Sequence, residues 1–202
     1  MNGDVDGAVA AIRAGKAVIL PTDTVYGLVA DGYREAPARL LYRLKQRPET
    51  MPSALMAVDL DVILDAVPEL RGRAAVAARA LLPGPYTLVL PNPARRFRWL
   101  CGARPEAVGI RVPALAESAG EVLRRVGVVV STSANVHGEG EARRLDDVAP
   151  ELREQAAAAI DGGELPGVPS TVIDLTEREP KILRDGAGAP VDALERVRQA
   201  VG

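Results

Sequence analysis

A single α/β domain, a twisted open mixed sheet with helices against it, is the fold class this sequence predicts, and three observations carry it. Short apolar runs of strand length alternate with longer segments whose apolar residues recur at helical spacing. Two strand-like runs near the end, residues 170–175 and 181–183, follow each other with no helix between them, so the sheet cannot be purely parallel. No repeat, low-complexity linker or shift in composition divides the chain, so residues 1–202 read as one domain.

In chain order, residues 5–14 predict a first helix, with Val5, Val9 and Ile12 on one face and Gly15 as its stop. The apolar run Ala17-Val18-Ile19-Leu20 predicts a strand closed by Pro21, which has no donor for a sheet ladder. A polar turn, Thr22 to Tyr26, follows, and Gly27 breaks the run. Residues 37–45 predict a helix with Leu40, Leu41 and Leu44 on one face, ending before Pro48. The continuous apolar run 53–58 reads as a strand buried on both faces. Asp59 or Asp61 can cap a short helix reaching Val67. Residues 70–82 predict a helix that Pro83-Gly84-Pro85 ends. Strands are expected at 86–90, 108–112 and 128–130, with a loop over 91–106 and a helix over 115–126 that Gly127 terminates. Beyond the turn Ser131-Thr132-Ser133-Ala134-Asn135 and a charged, Gly-rich loop, the pattern predicts a helix over 150–159, the two late strands, and a last helix over 191–201.

Composition excludes several function classes. The chain has one cysteine, Cys101, and one histidine, His137, so an intramolecular disulfide, the common zinc signatures and a Ser-His-Asp triad have little support. A net charge of −2 gives no global attraction to nucleic acid; such a contact would need a local patch. The opening Met1-Asn2-Gly3-Asp4 is polar and acidic, unlike a signal peptide, and no apolar run nears the ~20 residues of a membrane span. The expectation is a soluble cytoplasmic protein with no membrane partner.

Polar turns follow several predicted strands: Thr22-Asp23-Thr24, Ser131 to Asn135, and Arg184-Asp185-Gly186. Any one of them is ordinary turn chemistry. Together with Lys45, Arg47, Arg111 and Arg184, each beside an element end, they suit a ligand carrying phosphate or carboxylate, expected at the strands' carboxyl ends. Taken alone, Lys45 and Arg47 are equally a complement to a helix dipole. No GxxxxGK[ST] or GxGxxG run is present, which disfavours P-loop and dinucleotide-binding folds.

The ordered series PTDTVYGL, KQRP with a short apolar strand after it, PGPYTLVL, GIRVP, STSAN and STVIDL leading to ILRDG resembles the YrdC-like family. Its best-known members are threonylcarbamoyl-AMP synthases, and the length is similar to that of the single-domain TsaC type. The resemblance implies an open α/β sheet around a concave cavity. It implies a reaction in which L-threonine, bicarbonate and ATP, with Mg2+ accompanying the ATP, give threonylcarbamoyl-adenylate and pyrophosphate. The product feeds tRNA modification, so downstream transfer proteins are implied partners and a tRNA contact is open. Matched motif by motif, Lys45 and Arg47 are the implied catalytic pair near the phosphates. Thr24, Arg111, Ser131 and Ser170 are the implied L-threonine contacts; Ser133, Asn135 and Arg184 join Lys45 and Arg47 toward the nucleotide. No protein metal ligand is implied.

The chain departs from that pattern at Pro169, where many relatives have Glu, and at Met56, where some have His. PGPYTLVL and VVVSTSAN also resemble the YciO branch, so a YciO-like enzyme with another acceptor is an alternative. A further alternative is an RNA-binding module using the same concave surface; separately, Arg95-Arg96-Phe97-Arg98-Trp99 could form an RNA or partner patch. The blander reading of that patch is a solvated loop with a packed Trp. His137 reads as a loop residue, Arg143-Arg144 as a surface pair, and Cys101 as an unreactive thiol.

Overall fold

The computed structural model describes residues 4–202; the opening Met1-Asn2-Gly3 lies outside the described residues. The chain begins with α1 (Val5–Arg13), capped by Asp4, whose carboxylate accepts the Gly7 N–H at 2.7 Å. Strand β1 (Val18–Pro21) turns back at once into β2 (Tyr26–Asp31), and α2 (Glu35–Leu44) follows. Next come β3 (Ala54–Met56), α3 (Leu60–Ala66) and α4 (Arg73–Leu81). Asp59 caps α3 through the Val62 N–H at 3.0 Å, whereas Asp61 pairs with Arg79. The chain continues through β4 (Tyr86–Pro91), β5 (Ala107–Arg111), α5 (Glu117–Val126) and β6 (Val129–Ser133). Last are α6 (Pro150–Gln155), the two-residue β7 (Ala158–Ala159), β8 (Thr171–Asp174), β9 (Lys181–Arg184) and α7 (Pro190–Val201).

The strands form one open, mixed sheet in the order β7-β1-β2-β6-β3-β5-β4-β8-β9. Pairings β1–β7, β3–β5 and β4–β8 are parallel and the rest antiparallel. Because side chains alternate between faces, each strand divides its residues between two environments. On one face Leu28, Leu55, Leu88, Val108, Ile110 and Val130 join residues of α2, α3, α4 and α7 in the larger core. On the other, Val18, Leu20, Val29, Met56 and Val129 meet α1 and α5 in a second core. That second layer covers only part of its face. Beyond it the same face carries Gly27, Ala54, Ala107, Gly109 and Ser131, too small to fill the space, and the sheet is left concave.

Four sequence expectations are corrected here. The polar segment after Pro21 is not the link from a strand to a helix but the tip of the β1–β2 hairpin. The Thr22 hydroxyl donates to the Val25 carbonyl at 2.7 Å and accepts the Val25 N–H at 3.3 Å, closing the turn. Gly27 therefore lies within a strand, opposite Leu20 and Ser133. Ser131, Thr132 and Ser133 continue β6 because they pair with Val29, Leu28 and Gly27; the turn starts only at Ala134. The helix expected over 150–159 stops at Gln155, since the Ala157 N–H bonds the Ala17 carbonyl and the Ile160 N–H bonds the Ile19 carbonyl. Edge pairing with β1 overrides the helix propensity of the alanines there. Finally, the open space lies across a sheet face, not only at the carboxyl ends of strands.

No helix among the described residues is long and apolar enough to cross a membrane.

Candidate active site

The concave face encloses a cavity of about 750 Å³, within the range of ligand sites. Thr24, Lys45, Arg47, Arg111, Ser131, Ser133, Asn135, Ser170 and Arg184 all line it. The sheet achieves this convergence by bringing the hairpin tip, the end of α2, β5, β6, β8 and β9 around one floor of small residues. Gly109 belongs to that floor: a Cβ there would stand 3.2 Å from the Ser53 carbonyl oxygen.

One wall centres on Arg111, which is buried at the end of β5. Its Nη2 donates to Asp23 Oδ1 at 2.6 Å and to the Thr24 hydroxyl at 2.7 Å, with the Thr22 hydroxyl at 3.4 Å. The Asp23–Arg111 side chains retain only 11% and 9% exposure. Burial pulls the guanidinium pKa downward and Asp23 opposes that shift. The other Asp23 oxygen accepts the Ala114 N–H at 3.2 Å, so the carboxylate braces the hairpin tip against the chain after β5. Asp23 was not singled out from the sequence, where it is indistinguishable from an ordinary turn aspartate. The hairpin is also tied to residues 161–167. The Tyr26 hydroxyl lies 2.8 Å from the Gly163 carbonyl and 3.0 Å from Asp161 Oδ1, and accepts the Gly162 N–H at 2.9 Å. The Gly167 N–H bonds the Thr24 carbonyl at 2.9 Å.

The opposite wall is cationic. Lys45 follows the last turn of α2 and is 3% exposed. Its ammonium donates to the Ser133 carbonyl, and to Asn135 Oδ1 at 2.8 Å. Ser133 Oγ donates to the same Asn135 oxygen at 2.6 Å, and Asn135 Nδ2 donates to the Glu139 carbonyl at 2.7 Å. Desolvation first, then the charge of Arg47, lowers the Lys45 pKa to about 8. Arg47 donates to Ser53 Oγ at 3.1 Å and to the Pro52 carbonyl at 2.8 Å, and its guanidinium lies over the Tyr42 ring. Arg184 holds the Ser170 carbonyl through Nε and Nη2 at 3.0 and 2.9 Å, and Nη2 reaches Ser170 Oγ at 3.1 Å. Burial lowers the pKa of both arginines. Lys45, Arg47 and Arg184 have only neutral partners, and none forms an ion pair among the described residues. Three desolvated cations held only by neutral hydrogen-bond partners constitute a ready anion site.

The resemblance assigns Ser170 and Arg184 to different ligands; in the structure the two side chains touch at β8–β9. Pro169 lines the cavity, while Met56 is fully buried in the second core, away from the lining. His137 lines the cavity, with its N–H on the Lys45 carbonyl at 3.2 Å. The remaining candidates have local partners. Arg143 and Arg144 both pair with Glu164, and Arg96 pairs with Glu69. Phe97 is buried against the edge of Trp99. Cys101 also lines the cavity; burial pushes its thiol up to about 11, which disfavours the thiolate.

The model of the Sua5/YciO/YrdC family, described as telomere recombination, matches residues 10–186. A curated relative from Pyrococcus abyssi, named threonylcarbamoyl-AMP synthase, is 36% identical over 192 residues, covering 92% of this chain and 54% of that protein. The crystal structure of P. abyssi Sua5 complexed with L-threonine superposes with a TM-score of 0.83 at 33% identity, over 97% of this chain and 57% of that one. E. coli YciO superposes with a TM-score of 0.82 at 28% identity, over 94% of this chain and 92% of that one. The chain thus spans little more than half the length of the Pyrococcus protein and nearly all of YciO.

Proposed function

The chain belongs to the Sua5/YciO/YrdC family, and on that premise we propose that it is an L-threonylcarbamoyladenylate synthase, a nucleotidyltransferase acting on L-threonine, bicarbonate and ATP. The observation that carries this reading is the pairing, in one cavity, of a buried arginine among hydroxyls with a wall of desolvated cations that form no ion pair among the described residues.

Arg111 has its Nη2 committed to Asp23 and Thr24, and offers the rest of its guanidinium to an amino-acid carboxylate. Thr24, Ser131 and Ser170 supply hydroxyls around that position. The threonine nitrogen attacks the bicarbonate carbon, and loss of water leaves a carbamate. A carbamate oxygen then attacks the α-phosphorus, and the bond to the β-phosphate oxygen breaks, releasing pyrophosphate. Negative charge grows on the phosphate oxygens in that step. Lys45, Arg47 and Arg184 are already desolvated and fixed by hydrogen bonds, so they stabilise it with little reorganisation. Ser133 and Asn135 hold the Lys45 ammonium in place and contribute to the nucleotide side. Mg2+ would travel with the triphosphate: among the described residues no group of three or more His, Cys, Asp or Glu could hold a metal. The adenylate would pass to proteins that transfer it to tRNA, and on this reading the chain works in the cytoplasm.

Titration calorimetry with L-threonine, ATP and tRNA in turn tests this reading. It expects threonine binding at millimolar or tighter Kd, ATP binding, and little salt-sensitive tRNA affinity. ATP binding with no threonine heat would favour a YciO-like enzyme with another acceptor. A steep salt dependence for tRNA with neither small ligand bound would make the surface an RNA module.

A further inference from the structure

Glu141 is a carboxylate on the cavity wall that the reaction described above does not use. Its Oε2 is buried and has no hydrogen-bond partner among the described residues. The loop carrying it is anchored on both sides: the Ala142 carbonyl accepts the Tyr26 N–H at 3.1 Å, and the Glu139 carbonyl accepts from Asn135 at 2.7 Å. Its charge is felt at Lys45 and Arg184, raising the pKa of each against the burial that lowers it. Neither cation bonds to it, since Lys45 is committed to Ser133 and Asn135 and Arg184 to Ser170.

An ionised carboxylate can only accept hydrogen bonds, and a buried acceptor left unmet is costly. The missing donor is therefore to be sought on the ligand. The cationic surroundings oppose an ammonium and favour a neutral hydroxyl on an anionic molecule. In a nucleotide bound by its phosphates to Lys45, Arg47 and Arg184, the ribose hydroxyls are the neutral donors nearest those phosphates. We propose that Glu141 accepts a hydrogen bond from a ribose hydroxyl of the nucleotide and so makes the site selective against the deoxy analogue that lacks that hydroxyl. The proposal rests on the reading of the cationic wall as a nucleotide site. A site built to receive a hydroxyl rejects an analogue lacking it, because the acceptor stays buried and unpaired.

The test is titration calorimetry of the full chain with ATP, 2′-deoxyATP, 3′-deoxyATP and pyrophosphate, using the wild type, Glu141→Ala and Glu141→Gln. The wild type is expected to bind ATP at least about tenfold tighter than one of the deoxy analogues, the size of one hydrogen bond to a charged group. In Glu141→Ala that ratio should collapse to within about twofold. Pyrophosphate affinity should hold or rise, because a negative charge has left the phosphate wall. Glu141→Gln keeps an acceptor without the charge and should retain part of the ratio. A wild type that binds ATP without ribose discrimination, or a ratio that survives in Glu141→Ala, overturns the proposal and leaves the nucleotide reading intact. An unchanged ribose ratio with a loss confined to threonine-dependent turnover would assign Glu141 to the threonine amine instead. No binding of ATP or pyrophosphate to the wild type would overturn both readings.

Discussion

Lys45 is the side chain whose burial should leave the plainest thermodynamic trace. Its pKa falls from 10.5 to about 8, chiefly by desolvation, at a position with 3% exposure. At about 1.4 kcal/mol per unit, the charged form costs the folded state about 3 kcal/mol near neutrality. The unfolded chain keeps its proton up to pH 10.5 and the folded chain only to about 8. Between those values the unfolded state binds more protons, so stability rises with pH; below pH 8 the full cost is present. Lys45→Met removes this cost but takes a charged donor from the Ser133 carbonyl and from Asn135 Oδ1, which keeps the Ser133 hydroxyl, a loss of about 1–3 kcal/mol that does not titrate. The net effect at pH 7 is therefore small, but the pH dependence is not. Urea unfolding of both proteins from pH 7 to 10.5 should show the wild type gaining about 3 kcal/mol relative to Lys45→Met, most of it above pH 8. Parallel stability curves would refute the desolvation of Lys45 and, with it, the cationic wall as a preformed anion site. The same shift predicts proton uptake when a triphosphate binds at pH 8.5, measurable by calorimetry in buffers of different ionisation enthalpy.

Three further outcomes follow from other walls of the cavity. Asp23→Ala leaves Arg111 buried without its carboxylate and should cost about 3–5 kcal/mol, or roughly 10 °C in Tm; a loss below 1 kcal/mol would show that the pair does not hold the hairpin. Tyr26→Phe removes the phenol that fixes residues 161–163 and should cost about 1–3 kcal/mol, raising the KM for threonine while kcat stays near wild type; an unchanged KM would uncouple that loop from Thr24. Gly109→Val places methyls on the cavity floor and should weaken ligand binding at least about tenfold, for no more than ~3 kcal/mol of stability; undiminished binding would mean that ligands do not reach the floor.

The fold class was legible because the β-branched and leucine runs at 86–90, 108–112 and 170–175 can only be buried strands, and helical spacing separates most of them. Strand β2 was not legible. Tyr26-Gly27-Leu28-Val29-Ala30 is buried on both faces and shows no alternation, and a glycine that serves the cavity floor looks like a break. Ser131 to Ser133 misled for a related reason: polar side chains that face a cavity within a strand have turn composition. The nine residues read as site candidates do line one cavity, although they come from segments as far apart as Thr24 and Arg184. Their convergence was implied by an ordered set of motifs, since spacing alone does not bring a hairpin tip to a late strand. Asp23 and Glu141 stayed hidden because a turn aspartate and a glutamate in a charged loop carry no signal until burial and missing partners are seen.

The most direct measurement is pyrophosphate release by the purified chain given ATP and Mg2+, with L-threonine and bicarbonate omitted in turn. Release is expected only when both are present, and Lys45→Ala or Arg47→Ala should abolish it while unfolding stays cooperative. Release that is indifferent to threonine or bicarbonate, or near-full activity in both variants, would contradict the assignment of this cavity to threonylcarbamoyl-adenylate synthesis.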